Sequence, residues 1–328
     1  VTLTTLPARF SLMAAPIPFR QSRFLSNSIL HGIVSRKESN FPYYYSCFLS
    51  PYRKFKRAPV DSGLSSPAAR LYNETYLVQK RGHRMIQVQA HRGASAYAPE
   101  NTLPAFQLAL DMHADGFETD VHLTADKQYA VCHDDDISRT STGAGHIQDM
   151  TMAELKAFDF GVKFNPKFAG TPIPTLDELL ELTHHMDVVN IELKGPLAAG
   201  QDLDEALHLL YANIAKFGCV ERTIISTFWH DWGRRLKELH PDLRLGLLYG
   251  EHYSVEETLA LVERCHADAI HPELGGLTPA IVAACRERGI LINAWTVDAP
   301  EAIEKAIALE VDGIITNVPD RVLAALGR

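Results

Sequence analysis

The sequence predicts an α/β protein built as a TIM-type (β/α)8 barrel, with a β-hairpin and a small insertion after the second barrel strand. Three observations carry this expectation. From Met85 onward, eight short apolar runs, many of them β-branched, alternate with helical patterns over about 240 residues. No Gly-rich fingerprint follows the first run, which weighs against a doubly wound open sheet, the main alternative. The connection after the second run is too short to hold a crossover helix.

The elements follow in order. Barrel strands are expected at 86–91, 116–121, 188–194, 223–228, 243–249, 268–272, 290–297 and 312–317. Helical patterns occupy 102–113, 203–217, 230–239, 255–265, 278–287 and 300–309, and 319–326 closes the chain. Start signals include Pro99-Glu100-Asn101-Thr102, with Asn101 or Thr102 as cap, Thr278-Pro279 and Asp298-Ala299-Pro300; Gly218 and Gly289 are stop signals. After "FETDVHLT" comes the turn "ADKQ" and then "YAVCHD", which reads as an antiparallel hairpin. Residues 134–174 then form a long insertion, with one short helix starting near Thr151 under a Thr151–Glu154 capping box. An irregular segment of that length is expected to sit over the end of the barrel that carries function.

Charge divides the chain. The net charge is -8, but residues 1–84 hold 13 Lys+Arg against 3 Asp+Glu, whereas 85–328 hold 19 against 37. So acidic a main domain argues against nucleic acid as a partner. Residues 1–84 read as a poorly structured basic extension. Their Arg- and Ser-rich, acid-poor composition is compatible with a transit peptide. The preferred expectation is an upstream stretch read through from a misplaced start, with Met85 as the real one and 85–328 as the domain. Five cysteines, with no CxxC pair, do not suggest a disulfide framework and fit a reducing, cytoplasmic compartment. No apolar run reaches the roughly 18 residues of a membrane span.

Glu118 and Asp120 stand two apart on one strand and therefore share a face. Glu192 and Lys194 repeat the pattern on the next barrel strand. One such pair alone reads as an exposed alternating strand. Two pairs on adjacent strands, both pointing inward, crowd three carboxylates into a small volume, and a divalent cation relieves that crowding. Oxygen ligands without cysteine select a hard ion, Mg²⁺ or Ca²⁺. His91 and His133 end the first barrel strand and the hairpin's return strand, at the same rim, and suit a general acid and base. Arg92 is a fixed cation for a phosphate oxygen. Gly93 is expected to let the backbone turn closely past a ligand.

The stretches "HRGASAYAPENT", "FETDVHLTADKQYAVCHDDDISRTSTGAG", "MTMAELKAFDFG", "IPTLDELLEL", "NIELKG" and "AWTVDAPEAIEKAIALEVDGIITNVPDRV" resemble the glycerophosphodiester phosphodiesterase family, from about residue 87 to the C-terminus. The resemblance implies a TIM barrel that cleaves glycerophosphodiesters to sn-glycerol 3-phosphate and an alcohol with a divalent metal. By motif, it implies His91 and His133 as the catalytic pair and Glu118, Asp120 and Glu192 as metal ligands. Arg92 and Lys194 would contact the phosphate, and Trp295 would line the pocket. Where the family often has Asp after "IIT", this chain has Asn317. The reaction would run through the substrate's own 2-hydroxyl and a cyclic phosphate, or by direct attack of water. A lysophospholipase D-like or phospholipase D-type lyase would need an apolar rim, for which the insertion offers Phe158, Phe160, Phe164 and Phe168. A non-catalytic phosphodiester-binding protein is a further reading, and a different barrel enzyme such as a sugar-phosphate isomerase is another, weakened because "VDGIITN" has a single Gly where a phosphate-gripping loop is expected.

If Met85 is the true start, a mass spectrum of the native protein contains no tryptic peptide from before Lys80; such a peptide would overturn the expectation.

Overall fold

The computed structural model describes residues 85–250 and 252–328; the expected basic extension at 1–84 lies outside the described residues. Eight parallel strands close into a barrel: β1 (Gln87–His91), β2 (Gly116–Leu123), β4 (Val188–Leu193), β5 (Thr223–Thr227), β6 (Arg244–Tyr249), β7 (Ala269–Pro272), β8 (Leu291–Ala294) and β9 (Gly313–Thr316). β1 pairs with both β2 and β9, which closes the ring. The remaining strand, β3 (Tyr129–Val131), runs antiparallel to the outer end of β2, with Val121 opposite Val131. It is the return arm of the expected hairpin.

The helices fall where the 3.6-residue pattern puts them: α1 (Leu103–Asp111), α4 (Leu203–Lys216), α5 (His230–Leu239), α6 (Val255–Cys265), α7 (Pro279–Glu287), α8 (Pro300–Ala308) and α9 (Pro319–Ala325). The short insertion helix α2 (Met152–Leu155) carries both halves of its capping box, Thr151 to the Glu154 amide and Glu154 back to the Thr151 amide. One helix was not expected. α3 (Leu176–Leu182) starts under a second capping box, Thr175 with Glu178, and buries Leu176, Leu179 and Leu180. It spans two turns, too few for an apolar period to stand out from a loop. The seventh barrel strand, β8, is also shorter than 290–297. It ends at Ala294, and Trp295 hands its amide to the Pro272 carbonyl (3.2 Å) as the chain leaves the barrel.

Apolar residues on the outward face of the strands pack against the helices in two large clusters. Ala90, Phe117 and Ile191 belong to one, and Val88, Ile292 and Ile314 to the other. The insertion has its own small core, in which Ile137, Ile147, Leu155 and Phe160 cover Ala130 and Cys132 of the hairpin.

The inward face is polar. Ser226 bonds Asn190 (2.9 Å), Asn190 bonds Gln89 (3.3 Å), Gln89 bonds Asn293 (3.0 Å), and Asn293 bonds His271 (2.9 Å). All five side chains are buried, so each polar group needs its partner. His271 is thereby a barrel-interior residue, and burial pushes its pKa down to about 3. Two glycines make room for the chain of amides. A Cβ on Gly246 would meet His271 Nε2 at 2.4 Å, and one on Gly313 would meet Asn293 Oδ1 at 2.1 Å.

Gly313→Ala should therefore both overpack the interior and break the Gln89–Asn293 bond. A loss of about 1–3 kcal/mol in urea unfolding is expected; an unchanged midpoint would show that the interior can yield.

Candidate active site

The site grows out of strand alternation. Glu118 and Asp120 face inward from β2, and the β2–β4 register places Asp120 directly opposite Glu192. All three are buried, and their ligand-capable oxygens lie within 4.8 Å of one another. Two cations meet them. Lys194 Nζ lies 3.0 Å from Asp120 Oδ1 and 2.5 Å from Glu192 Oε1. Arg92 Nε lies 3.3 Å from Asp120 Oδ2, and its amide donates to Glu118 Oε2 at 3.3 Å.

The two cations do not neutralise three carboxylates. Burial, and then the charges of Asp120 and Glu192, push the Glu118 pKa well above the ordinary 4.5. Burial and Asp120 raise Glu192 to about 8. Asp120 goes the other way: burial opposes its charge, but Lys194 and Arg92 hold it below its ordinary value. Asp120 Oδ1 makes no hydrogen bond of good geometry despite the nearby ammonium, so a buried carboxylate oxygen is left with free lone pairs. An all-oxygen donor set with surplus negative charge and an unsatisfied oxygen fits a hard divalent cation.

His91 and His133 line the same pocket, as do Arg92, Glu118, Glu192 and Trp295. His91 Nε2 lies 3.8 Å from Glu118 Oε2, and burial, with the Arg92 charge, lowers its pKa to about 4. His133 Nδ1 bonds Asp134 Oδ1 at 2.6 Å. Asp134 is fixed in turn by Arg139, whose Nε donates to Oδ2 at 2.5 Å. His122, two residues after Asp120 on β2, bonds the His133 carbonyl through Nε2 (3.1 Å) and supports that loop's backbone. Trp295 is fixed by Nε1 donation to the His271 carbonyl (2.6 Å). Every site residue expected from sequence thus borders one pocket or its carboxylate cluster.

One local expectation is corrected. Neither Asn101 nor Thr102 caps α1 with its side chain. Asn101 instead turns inward, donates to Asp120 Oδ2 (2.8 Å) and accepts from Thr119 (2.9 Å), while Thr102 bonds the Pro99 carbonyl (2.6 Å). Gly93, at φ +80°, makes the expected turn, and it also leaves room for α1: a Cβ there would meet the Ala105 carbonyl carbon at 2.6 Å.

Some supporting residues were not legible. Glu100 bridges Arg92 (3.0 Å) and Arg139 (2.7 Å), tying the first loop to the insertion. Its place in "PENT" marked it only as part of a helix start. Phe228, half-exposed, lines the pocket and meets Trp295 edge-on at 5.8 Å. Nothing in its strand pattern separated it from a core residue. None of the insertion's aromatics lines the pocket. Phe160 is buried, Phe158 packs on the insertion's core, and Phe164 and Phe168 stack edge-on against each other.

Carboxylates placed to hold a hard cation, with a guanidinium and an ammonium placed to meet an anion, stand where a closed barrel keeps its chemistry. They set the protein among the barrel enzymes that work on phosphate esters. Comparison narrows the class. The model of the "Glycerophosphoryl diester phosphodiesterase family" matches residues 91–321, and the chain belongs to that family. A glycerophosphodiester phosphodiesterase of Caldanaerobacter subterraneus subsp. tengcongensis is 40% identical over 237 residues, covering 72% of this chain and 96% of its own. Among solved structures, an Oleispira antarctica phosphodiesterase in complex with the product sn-glycerol-3-phosphate aligns with a TM-score of 0.68 at 26% identity, over 74% of this chain and 97% of its own. A glycerophosphodiester phosphodiesterase of Agrobacterium tumefaciens aligns with a TM-score of 0.64 at 29% identity, over 74% and 100%.

The raised carboxylates fix a pH dependence. A group protonated more readily when folded stabilises the fold at low pH, and that contribution is lost as pH rises through the folded pKa. Metal-free protein should lose stability between its ordinary carboxylate pKa of 4.5 and about 8, the value for Glu192. Mg²⁺ or Ca²⁺ should raise the unfolding temperature more above that window than below it, since binding requires deprotonated ligands. A rise independent of pH would contradict the picture.

Proposed function

We propose that the protein is a metal-dependent glycerophosphodiester phosphodiesterase, releasing sn-glycerol 3-phosphate and an alcohol such as choline or ethanolamine. The observation that carries the reading is the carboxylate cluster, with its oxygens within 4.8 Å, beside two cations in a pocket lined by two histidines. Glu118, Asp120 and Glu192 would hold one Mg²⁺ or Ca²⁺, which when bound withdraws charge from the phosphoryl oxygens. Arg92, which lines the pocket, and Lys194, which meets the Asp120 and Glu192 carboxylates, would take the remaining phosphoryl charge, which grows in the transition state. Their present carboxylate partners hold them in place before substrate arrives. His91 and His133 would move the two protons the reaction requires, one from the nucleophile and one to the leaving alcohol. Trp295 would pack against the substrate's carbon skeleton. The unpaired, buried state of Cys132, Cys219, Cys265 and Cys285 supports a cytoplasmic setting. Among the described residues no helix is long and apolar enough to cross a membrane.

A second reading has one observation in its favour. Phe228 extends the pocket wall toward solvent, next to Trp229, and both side chains are half-exposed. This is the apolar rim that a lysophospholipid substrate would need.

Protein stripped with EDTA should release no glycerol 3-phosphate from glycerophosphocholine until Mg²⁺ or Ca²⁺ is returned. His91→Ala and His133→Ala should each lower turnover by about 10²–10⁴. Near-normal turnover in both variants would remove them from the chemistry. Faster cleavage of lysophosphatidylcholine than of glycerophosphocholine would favour the second reading.

A further inference from the structure

His91 ends β1, and its Nδ1 lies 2.7 Å from Asn317 Oδ1. Asn317 follows β9, the strand paired with β1. The orientation of this amide is set from behind. Its Nδ2 lies 2.6 Å from Asp298 Oδ2, and a carboxylate accepts but does not donate. The amide nitrogen must therefore face Asp298, and the amide oxygen must face His91. Ser95 Oγ lies 2.6 Å from the same oxygen and 2.7 Å from the His91 carbonyl, and its one proton serves either. Asp298 is itself held through Oδ1 by the Asn317 backbone amide (2.8 Å) and the Thr316 hydroxyl (3.0 Å). An oxygen facing Nδ1 requires that Nδ1 carry the hydrogen. In neutral imidazole the other nitrogen then holds the lone pair. Nε2 is the nitrogen on the carboxylate side, 3.8 Å from Glu118.

We infer that Asn317 is a positioning residue: oriented by Asp298, it fixes His91 as the Nδ1–H tautomer with the Nε2 lone pair directed into the pocket. An imidazole held this way can take a proton at Nε2 and has none to give from that atom. His133 differs in its support, a carboxylate rather than an amide oxygen. By the same argument its Nδ1 carries the hydrogen, so a neutral His133 shares the His91 tautomer. This assignment rests on the phosphodiesterase reading for its catalytic meaning, but the tautomer itself does not.

The test uses the full protein and two independent readouts. Long-range ¹H–¹⁵N NMR of histidine-labelled protein reports the His91 tautomer directly. Nδ1–H is expected in the native sequence, with loss of that single tautomer in Asn317→Leu. Observation of Nε2–H in the native protein overturns the inference. In kinetics, Asn317→Leu should lower kcat by about 10- to 100-fold with KM changed less than about threefold. Asn317→Asp alone sets two carboxylates face to face and should lose kcat similarly. Adding Asp298→Asn exchanges donor and acceptor while keeping both shapes, and should recover kcat to within about fivefold of the native value. A kcat within about twofold of native for Asn317→Leu overturns the role, as does a paired exchange no better than Asn317→Asp alone. Should Asn317→Leu fail to fold, the isosteric exchange and the native spectrum still decide. Should native protein release no glycerol 3-phosphate, the phosphodiesterase reading fails, while the spectrum still decides the tautomer.

Discussion

Three buried carboxylates at one end of a barrel are the constraint around which the rest of the site is arranged. Glu118 and Asp120 share a face because strand side chains alternate, and the register of β2 with β4 adds Glu192. Like charges at that separation in a buried place are costly to leave alone. The protein answers with Lys194 and Arg92, with the Asn101 amide on Asp120, and with raised affinity for protons at Glu118 and Glu192. A bound divalent cation would replace those protons, so the same crowding that strains the metal-free site would select the metal.

The supporting groups form two arms. One runs from Glu100 through Arg139 to Asp134 and His133, and joins the first loop to the insertion. The other runs from Asp298 through Asn317 to His91, and joins the last two barrel strands to the first. Each arm ends on one histidine. The barrel interior below is a run of hydrogen-bonded amides from Ser226 to His271 rather than an apolar plug. Its rigidity depends on hydrogen bonds that glycines at 246 and 313 leave room to form.

Most of the fold was legible because each barrel strand is a short apolar run and most helices are long enough to show a period. α3 escaped because two turns are too few, although its capping box was as clear as that of α2. The cluster was legible because it depends on a period of two along strands. The arms were not. Glu100, Asn101 and Phe228 act across distances that only the folded chain brings together, and a local pattern gives such residues a local explanation: a helix start or a core position. Asn317 stood out in sequence as a departure from the family's usual aspartate, but its value depends on Asp298, which sequence read as a helix start.

The central claim is that the three carboxylates form one cation site. Calorimetric titration of EDTA-stripped protein with Mg²⁺ and with Ca²⁺ tests it most directly. One equivalent is expected to bind, with release of protons at neutral pH, and that binding is expected to be lost in Glu192→Gln. Binding that survives Glu192→Gln unchanged, or no binding of either ion, would contradict it.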